Sequence, residues 1–490
     1  MKKKIFSNSS LISGTLILTV TGIISRCIGF YYKIFLSREI GADGLGMYQL
    51  IFPIFALFLA VSSAGIQTAV SRFCASCQSD REANGYLAAG LSVTLTLSVL
   101  CMLLIRGNAD WFCQIMMEGM DAADLLRIMT WAIPFASVHS CISGYYFGRK
   151  KAMVPAFSQI FEQTIRVGSV WMLMQIASAQ GRTPSVSDAV WGILIGEVGA
   201  VLYCVTAVCF SGMRDNHRLL QGSKPKPGRR SPYGKHTQTI QKATEAARQQ
   251  TESLSLGRSS RSLFKYYRNL LSLAIPLTAN RLISSLSASA ESLLIPYSLR
   301  LFGYTGTDAL SVYGILTGMV FSTIMFPAVI SNSLSVMLLP SISGALSQGN
   351  LSLIRRAVQR TVELCIVLGF LCTFGFLLGG GWIGSHLFGN TLAGVYLKTL
   401  CWICPFIFLG STLGSILHGL GRAGATLAIN LFASLIRIAF ICLGIPIIGL
   451  KAYLWAMLIS QVFTAVASLL CIRNTDGTSS APHRQADPLL

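Results

Sequence analysis

The sequence predicts an all-α polytopic membrane protein of about twelve transmembrane helices, arranged as two six-helix lobes related by a pseudo-two-fold axis along the membrane normal. Three observations predict it. Of the 490 residues, 52% are hydrophobic and only 12% charged, about half the charged share of a soluble domain. Apolar runs of about 18–25 residues, each able to cross about 30 Å of hydrocarbon, recur along nearly the whole chain. The two halves of the chain also share a sequence pattern.

The first six spans read as Leu11–Leu36, Met47–Val70, Tyr86–Ile105, Leu125–Phe147, Met153–Ile176 and Ala189–Phe210. The second six read as Leu270–Leu294, Val312–Leu338, Val362–Leu378, Val395–Leu417, Ala425–Leu443 and Ala452–Cys471. The first span is longer than a signal-peptide core and carries Arg26 and Lys33, so it is expected to be a mature helix rather than a cleaved leader.

A net charge of +20 raises the question of nucleic acid, and the distribution of the charge answers it. With Lys2, Lys3 and Lys4 in the cytoplasm, Arg149-Lys150-Lys151 and Arg355-Arg356 also fall inside. Only Arg38, Arg106, Arg182, Arg300 and Lys451 fall in outside loops. That is the positive-inside bias of a cell-membrane protein with both termini cytoplasmic. The partner it implies is the lipid bilayer, and no nucleic acid.

Between the sixth and seventh spans, residues 211–265 are polar and basic, with Lys224-Pro-Lys-Pro-Gly-Arg-Arg230 and then a Gln-, Ser- and Thr-rich stretch. Such a composition buries too little to fold alone, so a disordered cytoplasmic linker is expected, with room for a short helix around Ile240–Gln250. The domains are then an N-terminal lobe over 1–210, the linker over 211–265, a C-terminal lobe over 266–472 and a disordered cytoplasmic tail over 473–490.

The lobes resemble each other. Gly41-Ala-Asp43-Gly-Leu45-Gly-Met-Tyr48 matches Gly306-Thr-Asp308-Ala-Leu310-Ser-Val-Tyr313, which reads as a tight turn and helix start. Leu126-Arg127 and Trp131-Ala-Ile-Pro134-Phe135 match Leu397-Lys398 and Trp402-Ile-Cys-Pro405-Phe406. The same register carries Gln159, Gln163 and Arg166 onto Asn430, Ser434 and Arg437. Repeats with an even number of spans insert in the same orientation, which suits two bundles around a central cleft and alternating access.

Charges inside a bilayer are costly and usually face an interior cavity. Gly22, Arg26, Gly29 and Lys33 share one face of the first helix. Gln159, Glu162, Gln163 and Arg166 form a polar stripe on the fifth helix, and Glu162 and Arg166 are spaced to pair. Asn430, Ser434 and Arg437 repeat the stripe on the eleventh, and the seventh carries Arg281 and Glu291 among serines. Arg26, Lys33, Arg166, Arg281, Arg437, Gln159 and Gln163 are the candidate substrate-binding residues of a cationic cavity. Glu162 and Glu291 are the candidate coupling acids. A positive excess suits an anionic substrate, and the arginine fork suits phosphate. Lys33, Arg127 and Lys398 lie near span ends, where snorkelling to headgroups explains them equally well.

No Walker A motif and no acid–base constellation on an outside loop is found, so the chain is not expected to be an enzyme, and a membrane polymerase or ligase is disfavoured. Six histidines lie scattered, and Cys74-x-x-Cys77 and Cys401-x-x-Cys404 are single pairs among fourteen cysteines. Core packing explains the thiols, and neither a metal site nor a cofactor is expected.

The opening of the chain carries a family resemblance. Gly14-Thr-Leu-Ile-Leu, Gly22-x-x-x-Arg26-x-x-Gly29-Phe30, Glu39-Ile-Gly41-x-x-Gly44-x-Gly46-x-Tyr48 and Gly65-Ile-Gln-Thr-Ala-Val-Ser71-Arg72-Phe resemble the stage V sporulation protein B and polysaccharide exporter family. That family sits in the superfamily of multidrug, oligosaccharidyl-lipid and polysaccharide flippases. The resemblance implies two six-helix lobes around a V-shaped cavity and transfer of a polyprenyl-pyrophosphate-linked glycan or peptidoglycan precursor to the outer leaflet, in spore-cortex, cell-wall or polysaccharide synthesis. Ser25-Arg26 before Gly29-Phe30 is similar to the first-helix motif of lipid II flippases. Their next arginine is replaced here by Tyr32, followed by Lys33. The partners it implies are the lipid-linked glycan and proteins of cell-wall or polysaccharide synthesis, with the chain itself a monomer. The competing readings are a multidrug/toxin-type cation-coupled antiporter and a non-transporting scaffold of a cell-wall complex.

Overall fold

The computed structural model describes residues 2–77, 79–117, 122–222, 237–331, 342 and 351–478, and all regular structure among them is helical. Eleven helices among the described residues are long and apolar enough to cross a membrane. The fifth expected span supplies the twelfth. Its helix, Met153–Ala179, has 27 residues, about 40 Å of rise. Gln159, Glu162, Gln163 and Arg166 lower its hydropathy, so the residues that make the site also hide the span. The expected eighth span runs on to Leu338; the structure describes it over Gly306–Met325, and residues 332–341 lie outside the described residues.

Helix boundaries follow local chemistry. The first helix ends at Glu39 and the second begins at Gly41. A reversal this short needs a left-handed residue, and Gly41 has φ +71°, which costs glycine little. The repeated copy starts at Gly306 behind Thr305, whose side chain accepts from the Asp308 amide at 3.2 Å. Tyr48 and Tyr313, at the end of each copy, are both buried.

The duplication extends to a shared break in the helices. The fourth span is interrupted at Trp131, and the tenth changes to a tighter turn over Cys401–Ile403. Pro134 and Pro405 lie just beyond. Proline has no N–H for the carbonyl four residues back, here Thr130 and Cys401. Thr373 Oγ1 donates to the Cys401 carbonyl at 2.9 Å, so the freed acceptor is satisfied inside the bilayer region, as it must be.

The lobes meet where the second and eighth spans cross. A side chain on Gly46 would run into the backbone of Leu310, and one on Gly314 into Ala42 and Gly46. Both spans carry a π turn, Ala60–Ala64 and Ile315–Val320. Small residues at a crossing let backbones approach, which supplies packing that the hydrophobic effect cannot supply in lipid. The largest buried cluster straddles the crossing, with Leu36, Leu45 and Ile51 packed with Leu310, Tyr313 and Met319. Leu378 and Ile447, 71% and 75% exposed, belong to the outer surface, where apolar side chains face lipid.

Part of the 211–265 segment is described, and it is helical. The sixth helix runs to Gly222 and the seventh begins at Thr237, giving 66 residues to Phe302. The helical stretch includes Gln241-Lys-Ala-Thr-Glu-Ala-Ala-Arg-Gln-Gln250, rich in good helix formers, which helix propensity favours without any core. Residues 223–236 lie outside the described residues. At the other end the last helix continues to Thr478, six residues into the expected tail, and residues 479–490 lie outside the description.

Candidate functional site

The first, second, fifth and eighth spans enclose a cleft of about 500 Å³ between the lobes. Five candidate residues line it: Arg26, Lys33, Gln159, Gln163 and Arg166. Arg26, Gly29 and Lys33 reach it from one face of the first helix. Nothing lies within 4 Å of where a Cβ on Gly22 or Gly29 would sit, so the glycines leave open space beside the cations.

The cations differ in what surrounds them. Lys33 Nζ donates to Ser322 Oγ, across the lobe boundary, at 2.7 Å. Arg26 is exposed to the cleft, with no acidic partner among the described residues. Arg166 is buried and pairs with Glu162, one turn back on its own helix, with Glu197 Oε1 at 3.7 Å. The expected pair of Glu162 and Arg166 therefore forms, and it gains a third member.

That third member comes with a fourth. His139 Nδ1 is 3.6 Å from Glu197 Oε2 and 3.9 Å from Glu162 Oε2, and its Nε2 is 2.9 Å from Ser158 Oγ. The sixth span packs close enough to allow this because it presents glycines. A Cβ on Gly196 would lie 3.0 Å from Arg166 Cβ and 3.1 Å from the Glu162 carbonyl. The histidines, scattered in sequence, thus put one member into an acidic group whose ligand atoms lie within 4.8 Å of one another. Those donors could ligate a metal ion. The Arg166 guanidinium already sits on both carboxylates as a fixed counter-charge, and a divalent ion would have to compete with it. Sequence spacing does not single out His139, because its acidic partners lie on other helices. A histidine in a span, with an acid beside a Gly-x-x-x-Gly stripe in another, is the signal that finds it.

The C-terminal lobe resolves its arginine differently. Arg437 Nε and Nη2 donate to the two Glu291 oxygens at 2.7 and 2.8 Å, and Arg437 Nη1 lies 3.4 Å from Ser460 Oγ. Ser434 donates to the same carboxylate. This fork-to-fork pair engages two guanidinium nitrogens and both carboxylate oxygens. It lines a separate space of about 160 Å³ between the seventh and eleventh spans.

Arg281 does not join the cleft. The seventh helix leans on the N-terminal lobe, with Ser289 Oγ donating to the Pro53 carbonyl at 3.0 Å, and turns its Ser284 and Glu291 face toward the eleventh span. Arg281 extends that face by one turn and is exposed. The expected convergence of Arg26, Arg166 and Arg281 thus holds for the first two only. Of the span-end cations, Arg127 is paired at 2.8 Å with both Asp110 and Asp124. Lys398 lays its stem along Gly380 and Gly381. The Cys77 thiol, just past the second span, is pushed up by burial first and then by Glu82, which keeps it protonated and a poor ligand.

The comparisons agree with this architecture. Residues 11–220 match the polysaccharide biosynthesis protein family and residues 285–443 the MatE family. Stage V sporulation protein B of Bacillus subtilis (strain 168) is 24% identical over 94% of this chain and 83% of its own length. Lipid II flippase MurJ of the same organism is 22% identical over 94% of this chain and 82% of its own. Among solved structures, an inward-facing multidrug resistance MATE family transporter aligns with a TM-score of 0.67 at 14% identity, covering 93% of this chain and 96% of that one. A transporter from Pyrococcus furiosus, described as having a binding pocket of reverse polarity, aligns at 0.63 and 12% identity over 96% of both chains. The two matched family models and the curated relatives show what the chain resembles, and the solved structures share its fold: this chain is a multi-pass membrane protein with a twelve-helix, two-lobe fold, similar over residues 11–220 to the polysaccharide biosynthesis protein family.

Proposed function

We propose that the chain moves a polyprenyl-pyrophosphate-linked oligosaccharide or peptidoglycan precursor from the cytoplasmic to the outer leaflet by alternating access of the two lobes. The observation that carries this reading is the charge of the cleft. Arg166 and Arg437 are spent on carboxylates, whereas Arg26 and Lys33 face the cleft without an acid among the described residues. An uncompensated pair of cations in a low-dielectric cleft selects a polyanion. The sugar crosses among the polar side chains, and the prenyl chain stays in lipid. The relatives named for lipid II and for sporulation support the substrate class and a role in cell-wall, spore-cortex or polysaccharide synthesis.

In this reading the N-terminal lobe is 1–210 and the C-terminal lobe 266–472. The basic segment 211–265, both termini and the tail 473–490 are cytoplasmic, in keeping with the Lys and Arg bias. The chain acts as a monomer that meets proteins of cell-wall or polysaccharide synthesis. Of the two candidate coupling acids, Glu162 is the better placed, because it shares His139 and Glu197, while Glu291 is held by two bonds from Arg437. A multidrug-type antiporter for organic cations would need the opposite cleft charge. A scaffold would need no charge there at all.

The test is reconstitution in liposomes with candidate polyprenyl-linked glycans and a leaflet-specific readout. Wild type is expected to transfer the probe and Arg26→Ala to lose transfer. Transfer by Arg26→Ala at the wild-type rate sinks the proposal.

A further inference from the structure

The internal duplication exposes a difference between the lobes that bears on substrate recognition. The register that carries Arg166 onto Arg437 carries His139 onto Gly410 and Glu162 onto Ala433. In the last span of each lobe, Trp191-Gly-Ile-Leu-Ile-Gly-Glu197-Val matches Trp455-Ala-Met-Leu-Ile-Ser-Gln461-Val, so Glu197 corresponds to Gln461. The titratable group of the N-terminal lobe thus has, at its equivalent positions, a glycine, an alanine and an amide. The volume it fills in one lobe is open in the other. A cavity of about 410 Å³ lies there between the tenth, eleventh and twelfth spans, and Gly410, Ala433, Arg437 and Gln461 all line it.

Apart from His418 and the paired Arg437, the lining of this cavity is uncharged and hydrogen-bonding. Ser411, Ser415, Thr426 and Thr464 donate to carbonyls of their own helices and present acceptor lone pairs to the cavity. Asn430 and Gln461 have no hydrogen-bond partner among the described residues. Each amide carries a donor pair and an acceptor, open to a group that enters the cavity. Arg437 is occupied by Glu291, so an anion finds no free cation in Arg437, and no acid lines the cavity for a metal ion. An apolar chain would strand the amides. Its volume is that of a small-ligand site. Asn430 and Arg437 also line the space beside the seventh span, so the polar lining continues around the eleventh helix toward the helix that contacts the other lobe.

We infer that this C-terminal-lobe cavity binds an uncharged polyhydroxyl group, the sugar portion of the transported molecule, while the N-terminal side of the cleft binds its phosphates. The inference rests on the proposed function for the identity of the sugar's carrier. It divides recognition between the lobes: charge on one side, hydroxyls and amides on the other.

Gly414 offers a clean way to fill the cavity. It lines the space, and an added Cβ would meet only the Thr426 methyl, at 3.7 Å. The experiment is titration of the full-length protein in detergent with farnesyl diphosphate and with the same diphosphate bearing an N-acetylglucosamine disaccharide. Wild type should bind the glycosylated probe at least about tenfold more tightly, the scale of a few well-placed hydrogen bonds. Gly414→Leu and, by a different route, Gln461→Leu should each remove most of that preference and leave the bare diphosphate unchanged. Arg26→Ala should weaken both probes alike. Equal binding of the two probes by wild type, or a preference that survives both C-lobe substitutions, overturns the inference and leaves the cationic cleft standing. Binding of the bare diphosphate that ignores Arg26→Ala, with a sugar preference still lost in Gly414→Leu, supports the cavity and refutes the pyrophosphate reading instead.

Discussion

The Lys33 ammonium donates to the Ser322 hydroxyl across the lobe boundary at 2.7 Å, and both side chains line the cleft. A few residues further along the same helix, Arg38 Nε donates to the Leu387 carbonyl of the other lobe at 2.8 Å and its Nη2 to His386. The first helix therefore latches the lobes together at the end of the bundle where Arg38 lies. An anion entering the cleft competes for Lys33. Removing the hydroxyl with Ser322→Ala forfeits a charged hydrogen bond of about 1.5–3 kcal/mol, enough to shift a two-state equilibrium about tenfold or more. Spin-label distances across the Arg38 end of the lobes should lengthen in Ser322→Ala. An unchanged distance distribution would rule the latch out.

Arg26 should be needed for transfer and not for folding. It is exposed to the cleft with no acidic partner among the described residues, so Arg26→Ala strands no carboxylate. We expect normal expression and thermal stability with loss of transfer, and partial rescue by Arg26→Lys, which keeps the charge and loses the fork. Leaflet-specific transfer measured alongside a melting curve separates the two effects.

Glu291 should behave in the opposite way. It is about 17% exposed and takes both bonds of the Arg437 fork. Glu291→Ala leaves a partly buried guanidinium without its partner, a loss of about 3 kcal/mol. Thermal unfolding in detergent should show a clear drop. The double variant Glu291→Ala with Arg437→Leu should recover part of it, and a double variant no better than the single would argue that the pair is not coupled.

The lobe crossing at Gly46 and Gly314 should tolerate no added side chain. A Cβ on Gly314 meets the Ala42 and Gly46 backbones, which cannot swing aside as a flexible side chain would. Gly314→Val is expected to lose about 1–3 kcal/mol by overpacking and to separate the lobes at that end. The same spin-label pair used for Ser322→Ala reads the outcome, and wild-type distances would contradict the crossing.

Orientation is checked by chemistry on the loops. In a cysteine-free background, a single cysteine at Arg182 should react with an impermeant maleimide from outside, and one at Lys150 only after permeabilisation. The reverse pattern would invert the topology.

Hydropathy and the Lys and Arg bias are local properties, so the sequence alone determined the spans, their number and their proposed orientation. The repeat was equally legible, because Trp131, Pro134 and Arg166 and their counterparts Trp402, Pro405 and Arg437 sit at one fixed register. So was the in-helix pair of Glu162 and Arg166, one turn apart. The fate of the other charges was decided by tertiary structure. Arg437 takes an acid 146 residues away, His139 and Glu197 close on Glu162 from two other helices, and Arg281 is not among the residues that line the cleft. Helical periodicity says which residues lie on one face of a helix. Which neighbour that face meets depends on how each helix is rotated and where it crosses the others, and here glycines at Gly46, Gly196 and Gly314 set those approaches. The open cavity of the C-terminal lobe has the same origin: glycine, alanine and an amide stand in space where the other lobe is filled.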